Sequence, residues 1–451
     1  MRAAEGFDQA RVDRLCRAIG WAGGNEATAT RLAQMSVNES GMGSPEPSRR
    51  GKVLGILRDA LRQKSMGVIE ELPEKGIVKY AKPAGVIASL IPVTSPYVTP
   101  IGIAIYAVKC KDAVIFSPHP ASRRTTNETV RVMRAALDAL GAPVDLLQCV
   151  EKPSIPLAQE LMATCDLTIA TGGPPMVRSA YSSGKPALGV GAGNATMVID
   201  ETADVVEAAR NTRISKTNDH GSGCSADGNL VVDSTIYDAL LAQLQKEGGY
   251  VVTGQEKELL RAAYWDGDGR RTADTIARPA QVVAKKAGFS IPEDKTFLIV
   301  PEDKIGKQHL FSTEKLGIVL GIFKYTGFDH ALDLVRQIFE TGGRGHSCGI
   351  YSFNDDHVHR LALVAPVSRI MVRQIQSRAN AGTFTNGMPM TSSMGCGIWG
   401  GNITNENISL KHYMNVTWVS RPIPEDKPSE EELFGEFYQG ATFDAAAVAQ
   451  S

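Results

Sequence analysis

Apolar positions along the chain follow two different rhythms. At the start, Phe7, Val12, Leu15 and Ile19 recur near helical spacing and then meet Gly23-Gly24, which predicts an amphipathic helix over 7–19. Such a helix could address the protein to a shell, but the plainer reading makes it the first helix of the fold. Residues 44–47 read as a turn and 53–61 as a second helix. From residue 85 the pattern changes to short, continuous apolar runs. Residues 85–92, 112–117, 167–170 and 197–199 read as buried strands. Between them, Thr125-x-x-Glu128 has the form of a capping box, opening a helix with Val130, Met133, Leu137 and Leu140 on one face before Gly141 and Pro143. After residue 220 a second set predicts strands at 229–232, 296–300, 316–320, 348–352 and 369–372, with helices near 235–246 and 329–340. Continuous apolar strands alternating with helices indicate parallel sheets covered on both faces. The expected fold class is therefore α/β with two lobes. The stretch 422–451 reads as a surface extension, and no internal repeat is visible.

Composition narrows the function classes. A chain of 451 residues exceeds one simple core. Its formal net charge is -1, and its basic residues stand singly or in pairs such as Arg49-Arg50 and Arg123-Arg124. Neither nucleic acid nor an anionic membrane surface is an expected partner. No apolar run reaches the roughly 18 residues of a membrane-spanning helix. The first 20 residues also lack a signal-peptide core. The seven cysteines are odd in number and contain no CxxC pair, which speaks for a reducing compartment, the cytoplasm by default.

Three glycine-rich segments could do chemistry. Thr171-Gly172-Gly173-Pro174 follows a strand and precedes a helix, where bare backbone can approach a phosphate; a tight structural turn would look the same. Gly189–Asn194 has almost no side chains, as a ligand floor or a close-packed turn would. In Asn218–Gly228, Cys224 stands among small polar neighbours, Ser222, Gly223 and Ser225. Those neighbours permit access and offer backbone donors, conditions that lower a thiol pKa and hold an oxyanion. Cys110, Cys149 and Cys165 sit in core-like contexts, Cys348 begins a strand, and Cys396 between two glycines is the serious rival. His346, in a glycine loop before a strand, is a candidate catalytic imidazole. His357 and His359 lack further ligands at metal-binding spacing and read as a solvated loop; no metal is expected.

Taken in order, these segments resemble the aldehyde dehydrogenase superfamily, and most of all its CoA-acylating branch. The resemblance is carried by Ile91–Pro96, Ile115–Pro120, Ala170–Pro174, Ala180–Ala187, Gly189–Asn194, Ser215–Thr217, Cys224, Gly345-His346 and Gly395–Asn402, over roughly residues 50–420. It implies two Rossmann-like lobes with a small oligomerisation β-extension. Residues 1–220 would form a nicotinamide dinucleotide-binding domain with a hairpin near 73–85, residues 221–402 the catalytic domain, and 403–451 a return strand and tail. Segments 74–83 and 411–420 would join subunits into a dimer or tetramer. The resemblance places Ser117 and His119 near the adenosine of NAD or NADP, and Thr171, Gly172 and Gly173 near its phosphates. Thr94 and Ser95 would lie beside the nicotinamide, with Gly191, Gly193 and Asn194 on the cofactor floor. Cys224 falls on the nucleophile and His346 on a histidine facing it. Ser222, Gly223, Ser225, Gly400 and Asn402 would border the substrate.

The departures are informative. Ser222 and Gly223 stand where the branch commonly has bulky aliphatic residues, and Ser95 replaces a common asparagine. A roomier, more polar pocket favours a small polar or anionic aldehyde, sulfoacetaldehyde being the first candidate. Hydrolytic relatives place a glutamate about 34 residues before the cysteine, whereas this chain has Gly189-Val190-Gly191 there. A thioester without that base should pass to a thiol such as coenzyme A rather than to water. The expected reaction is reversible, CoA-acylating oxidation through a Cys224 thiohemiacetal and thioester. A hydrolytic dehydrogenase and a non-catalytic relic of the fold are the alternatives.

Overall fold

The computed structural model describes residues 2–438. Three sheets organise them. The first lobe holds a five-stranded parallel sheet in the order Leu147–Cys149, Ala113–Pro118, Val86–Ile91, Leu167–Thr171, Ala187–Val190. The second holds a seven-stranded parallel sheet in the order Gly249–Val251, Phe297–Glu302, Val319–Tyr325, Asn229–Asp233, Thr196–Ile199, Cys348–Tyr351, Ile370–Val372. An antiparallel extension joins the hairpin Gly67–Leu72 and Ile77–Pro83 to the strand Met414–Ser420.

The N-terminal helix runs over Gln9–Gly24 and buries Val12, Leu15, Cys16 and Ile19 in the first core. It is thus an ordinary helix of the fold. It also continues through Gly23-Gly24 instead of stopping there. A Cβ on Gly23 would lie 2.6 Å from Ile101 Cδ1, so the glycine admits the neighbouring helix Val98–Lys109. That helix is buried on every face, under the sheet and among the N-terminal helices.

Two expectations need correcting. The helix Arg123–Asp138 begins two residues before Thr125, with Ser122 at its N-cap, so no capping box forms. The Thr125 hydroxyl and N–H instead donate to Glu39, at 2.7 and 2.8 Å, while Glu128 pairs with Arg131 and Arg31. The boundary between lobes also lies earlier than residue 220. Thr196–Ile199 pairs with Asn229–Asp233 and Cys348–Tyr351 in the second sheet, and the helix Val205–Thr217 follows it. The chain leaves the first sheet at Val190 and crosses over through 191–195. Both lobes repeat the same strand–helix rhythm, so periodicity does not mark the change of sheet. No helix among the described residues is long and apolar enough to cross a membrane. Residues 439–451 of the expected surface extension lie outside the described residues.

Candidate active site

A cavity of about 630 Å³ opens where the carboxyl ends of the first sheet's strands meet the loop carrying Cys224. This is where open parallel sheets place their ligands. Cys224 lines it together with Ser222, Gly223, Ser225, Thr94, Ser95, His119, Thr171, Gly172, Gly173 and Gly191.

The shape of the Cys224 loop has local causes. After the helix Val205–Thr217, Asp219 and His220 adopt left-handed backbone, with φ of 51° and 49°. Non-glycine residues there cost on the order of 1 kcal/mol each or more, so the surroundings must hold them. Asp219 does this with both oxygens. Oδ1 accepts the Ser44 N–H at 2.6 Å; Oδ2 accepts the Ser222 hydroxyl at 2.7 Å and pairs with Arg49 at 2.7 Å. Arg49 also donates to the Thr94 carbonyl at 3.0 Å and to the Ser222 hydroxyl. Beneath the loop, Ser215 Oγ donates to Asp227 Oδ1 at 2.6 Å and Lys216 Nζ to the Asp227 carbonyl at 2.7 Å. The Cys224 N–H has no backbone partner among the described residues and remains free to hold an oxyanion.

His346 sits directly behind the sulfur, its Nε2 3.1 Å from Cys224 Sγ. Its loop turns through Gly343 and Gly345, both in the left-handed region at φ of 80° and 82°. Nδ1 lies 2.8 Å from Ser347 Oγ, and Arg369 donates to the His346 carbonyl at 2.9 Å. In the tautomer that donates from Nδ1, Nε2 is left to accept the Cys224 thiol proton.

The electrostatics differ from expectation. Burial pushes the Cys224 thiol up to about 12; Glu314 and Cys396 add to this, and Lys52 and Arg49 oppose it. Burial, helped by Arg369, pushes His346 down to about 3. Small polar neighbours therefore do not lower the thiol pKa in the ligand-free protein, because the dry site penalises both charged forms. Both shifts favour the neutral thiol and the neutral imidazole.

Other sequence-singled residues fall further back. His346, Ser117, Gly193, Asn194, Gly400 and Asn402 do not line the cavity. Ser117 is buried in the sheet while His119, past the strand end, faces the opening. Asn194 turns into the second lobe, donating to the Ser312 carbonyl at 2.9 Å and accepting from Asn229 at 3.0 Å. Gly193 packs against Cys224 itself. Gly400 and Asn402 brace Cys396, whose N–H donates to Asn402 Oδ1 at 2.9 Å. Cys396 is fully buried, unlike the half-buried Cys224. His357 is no loop residue: it lies on the helix Asp355–Val364, stacked on Phe328 and 2.8 Å from Asp200. Glu201 completes a group of three that could reach an ion, but the stack and the Asp200 contact already account for the imidazole.

Sequence reasoning missed the charged wall. Arg49, Lys52, Arg271, Glu314 and Arg378 all line the cavity. Glu314 amends the expectation of a pocket without a carboxylate. Both its oxygens are committed, Oε1 to the Gly193 N–H and Oε2 to Arg271, each at 2.8 Å. A water using it as a base would compete with the Arg271 and Gly193 contacts. No motif signals these residues, because the topology brings them together from distant parts of the chain.

The cavity suits an extended dinucleotide. Gly172 and Gly173 form bare backbone at the start of the helix Pro174–Tyr181, where a Cβ would meet nothing closer than Met176 at 3.3 Å and Pro175 at 3.8 Å respectively. Gly191 continues this floor, and a Cβ on it would lie 3.4 Å from Cys396 Sγ.

Residues 26–419 match the family described as the aldehyde dehydrogenase family. The chain is 42% identical to a sulfoacetaldehyde dehydrogenase of an Acholeplasma species, over 97% of this chain and 91% of the relative. It is 40% identical to an acylating sulfoacetaldehyde dehydrogenase of Bilophila wadsworthia, over 96% and 95% respectively. An acetylating aldehyde dehydrogenase from Geobacillus thermoglucosidasius, 33% identical, superimposes with a TM-score of 0.89 over 95% of each chain. The chain belongs to the aldehyde dehydrogenase family. Within it, the chain is an oxidoreductase of the acylating class.

Proposed function

We propose that the enzyme oxidises a small anionic aldehyde, sulfoacetaldehyde first among candidates, to its CoA thioester, with Cys224 as nucleophile and His346 as its acid–base partner. The observation that carries this reading is the charge on the cavity wall. Four cations, Arg49, Lys52, Arg271 and Arg378, line the cavity; Asp219 pairs with Arg49 and Glu314 with Arg271, which leaves Lys52 and Arg378 without an ion pair among the described residues. Such a wall attracts an anionic substrate and holds it where a neutral aldehyde would find little. The names of the two relatives above point the same way.

As Sγ adds to the aldehyde carbon, His346 Nε2, 3.1 Å away, takes the thiol proton. The Cys224 N–H holds the oxygen of the resulting thiohemiacetal. Gly191, Thr94 and Ser95, which line the cavity, would hold a nicotinamide ring, and that ring would supply the two-electron acceptor needed to oxidise the adduct to a thioester. His346 then releases the proton it took from Cys224 to solvent, and as the thiol of coenzyme A displaces Cys224 its proton passes through His346 to the departing sulfur. Glu314, tied to Arg271 and Gly193, leaves water without an activating base. The lobe before the 191–195 crossing binds the dinucleotide, and the second carries the nucleophile. The exposed outer strand Met414–Ser420 joins subunits as a dimer or tetramer in the cytoplasm. The test is an aldehyde panel assayed with either cofactor. CoA-dependent reduction that favours sulfoacetaldehyde over propionaldehyde supports the reading. Equal turnover, or rapid reduction without CoA, overturns it.

A further inference from the structure

The cations of the cavity are not equivalent. Arg49 is occupied by Asp219, the Thr94 carbonyl and Ser222. Arg271 is occupied by the carboxylate and carbonyl of Glu314, at 2.8 and 3.0 Å. Lys52 is different. It lies on the first turn of the helix Arg50–Leu61, half-buried in the cavity wall, with no ion pair to any described residue. The titratable groups around it are the Arg49 guanidinium and the Cys224 thiol. Burial and Arg49 push its ammonium down to about 8, as follows when a cation is withdrawn from water without a counter-ion. The helix beneath adds to the imbalance, because its N-terminus carries partial positive charge and no side chain caps it. Gly51 leaves the space there open, with nothing within 4 Å of a Cβ placed on it. A half-buried cation beside the nucleophile, without an internal anion, is matched by one that arrives with the substrate.

We propose that Lys52 is the specificity residue of this site, its ammonium receiving the sulfonate or carboxylate of the aldehyde while the carbonyl carbon lies against Cys224 Sγ. Arg49 then holds the wall and the nucleophile loop in place. This inference rests on the reading of an anionic substrate and adds the group that selects it. A rival role for Lys52 is general support of the Cys224 thiolate, which would serve every aldehyde alike.

The experiment compares wild type, Lys52→Met and Lys52→Arg, each checked for folding by thermal melting. The selectivity ratio, kcat/KM for sulfoacetaldehyde over propionaldehyde, should fall about 100-fold in Lys52→Met, mainly through KM, and largely recover in Lys52→Arg. Propane-1-sulfonate, a non-reacting anion, should inhibit wild type competitively and lose that effect in Lys52→Met. Equal losses for both aldehydes would overturn the proposal in favour of thiolate support, and so would unchanged inhibition by the sulfonate. A wild type with no preference for sulfoacetaldehyde would instead refute the anionic-substrate reading, which the wild-type ratio alone reveals.

Discussion

Gly193 offers a clean way to move the nucleophile without touching its chemistry. Its φ lies outside the left-handed region, so alanine meets no backbone penalty there. The obstacle is steric. A Cβ on residue 193 would lie 2.8 Å from the Cys224 carbonyl carbon and 3.2 Å from Cys224 Cβ, with the carbonyl oxygen nearer still. Carbon atoms rest at about 3.5–4.0 Å and the carbonyl oxygen is closer still, so Gly193→Ala must push the loop back by at least about 1 Å. Overpacking of this kind costs about 1–3 kcal/mol of stability. A displacement of about 1 Å between reacting groups costs about 100-fold in rate. Single-turnover oxidation at saturating aldehyde should therefore slow about 100-fold while the melting temperature falls only modestly. Cofactor affinity, followed by fluorescence titration, is the control, since Gly193 touches Cys224 and does not line the cavity. A folded variant within about threefold of the wild-type rate would refute this reasoning. So would a variant whose main defect is weak cofactor binding.

Other consequences follow from the same geometry. With the thiol pushed up to about 12, alkylation of Cys224 by iodoacetamide in the free enzyme should climb nearly tenfold per pH unit from pH 7 to 9.5. Lys52, losing its charge near 8, slightly flattens the upper part of that climb, and His346 stays neutral. A plateau below pH 8 would mean a preformed thiolate–imidazolium pair and contradict the burial argument. His346→Gln should slow CoA-dependent turnover by about 10²–10⁴-fold, and steady-state rates near wild type would remove the imidazole from the mechanism. In the antiparallel extension, Trp418 is 59% exposed on the outer strand. Trp418→Lys should shift light scattering toward smaller species, whereas an unchanged mass would place the subunit contact elsewhere.

How much of this was legible in the sequence depends on what holds each part. Strands such as Phe297–Glu302 and Cys348–Tyr351 are continuous apolar runs because both faces are covered, and they show themselves. The helix Val98–Lys109 is buried all round and so has no amphipathic period to read. Thr125-x-x-Glu128 has the letters of a capping box, yet Glu39, far away in sequence, takes the threonine's hydrogen bonds. Cys224 was recognisable locally, because small polar neighbours set it apart from the core cysteines. Its electrostatics were not, because burial and Glu314 depend on how the lobes close over it. Arg49, Lys52 and Glu314 carry no motif; only the folded chain sets them beside the sulfur.

The most direct measurement is mass spectrometry of the enzyme quenched after one turnover with aldehyde and cofactor, with and without coenzyme A. The account predicts an acyl mass on the peptide containing Cys224, long-lived in buffer and discharged rapidly once coenzyme A is added. An acyl group on another residue, Cys396 above all, or an adduct on Cys224 that water clears as fast as the thiol does, would contradict it.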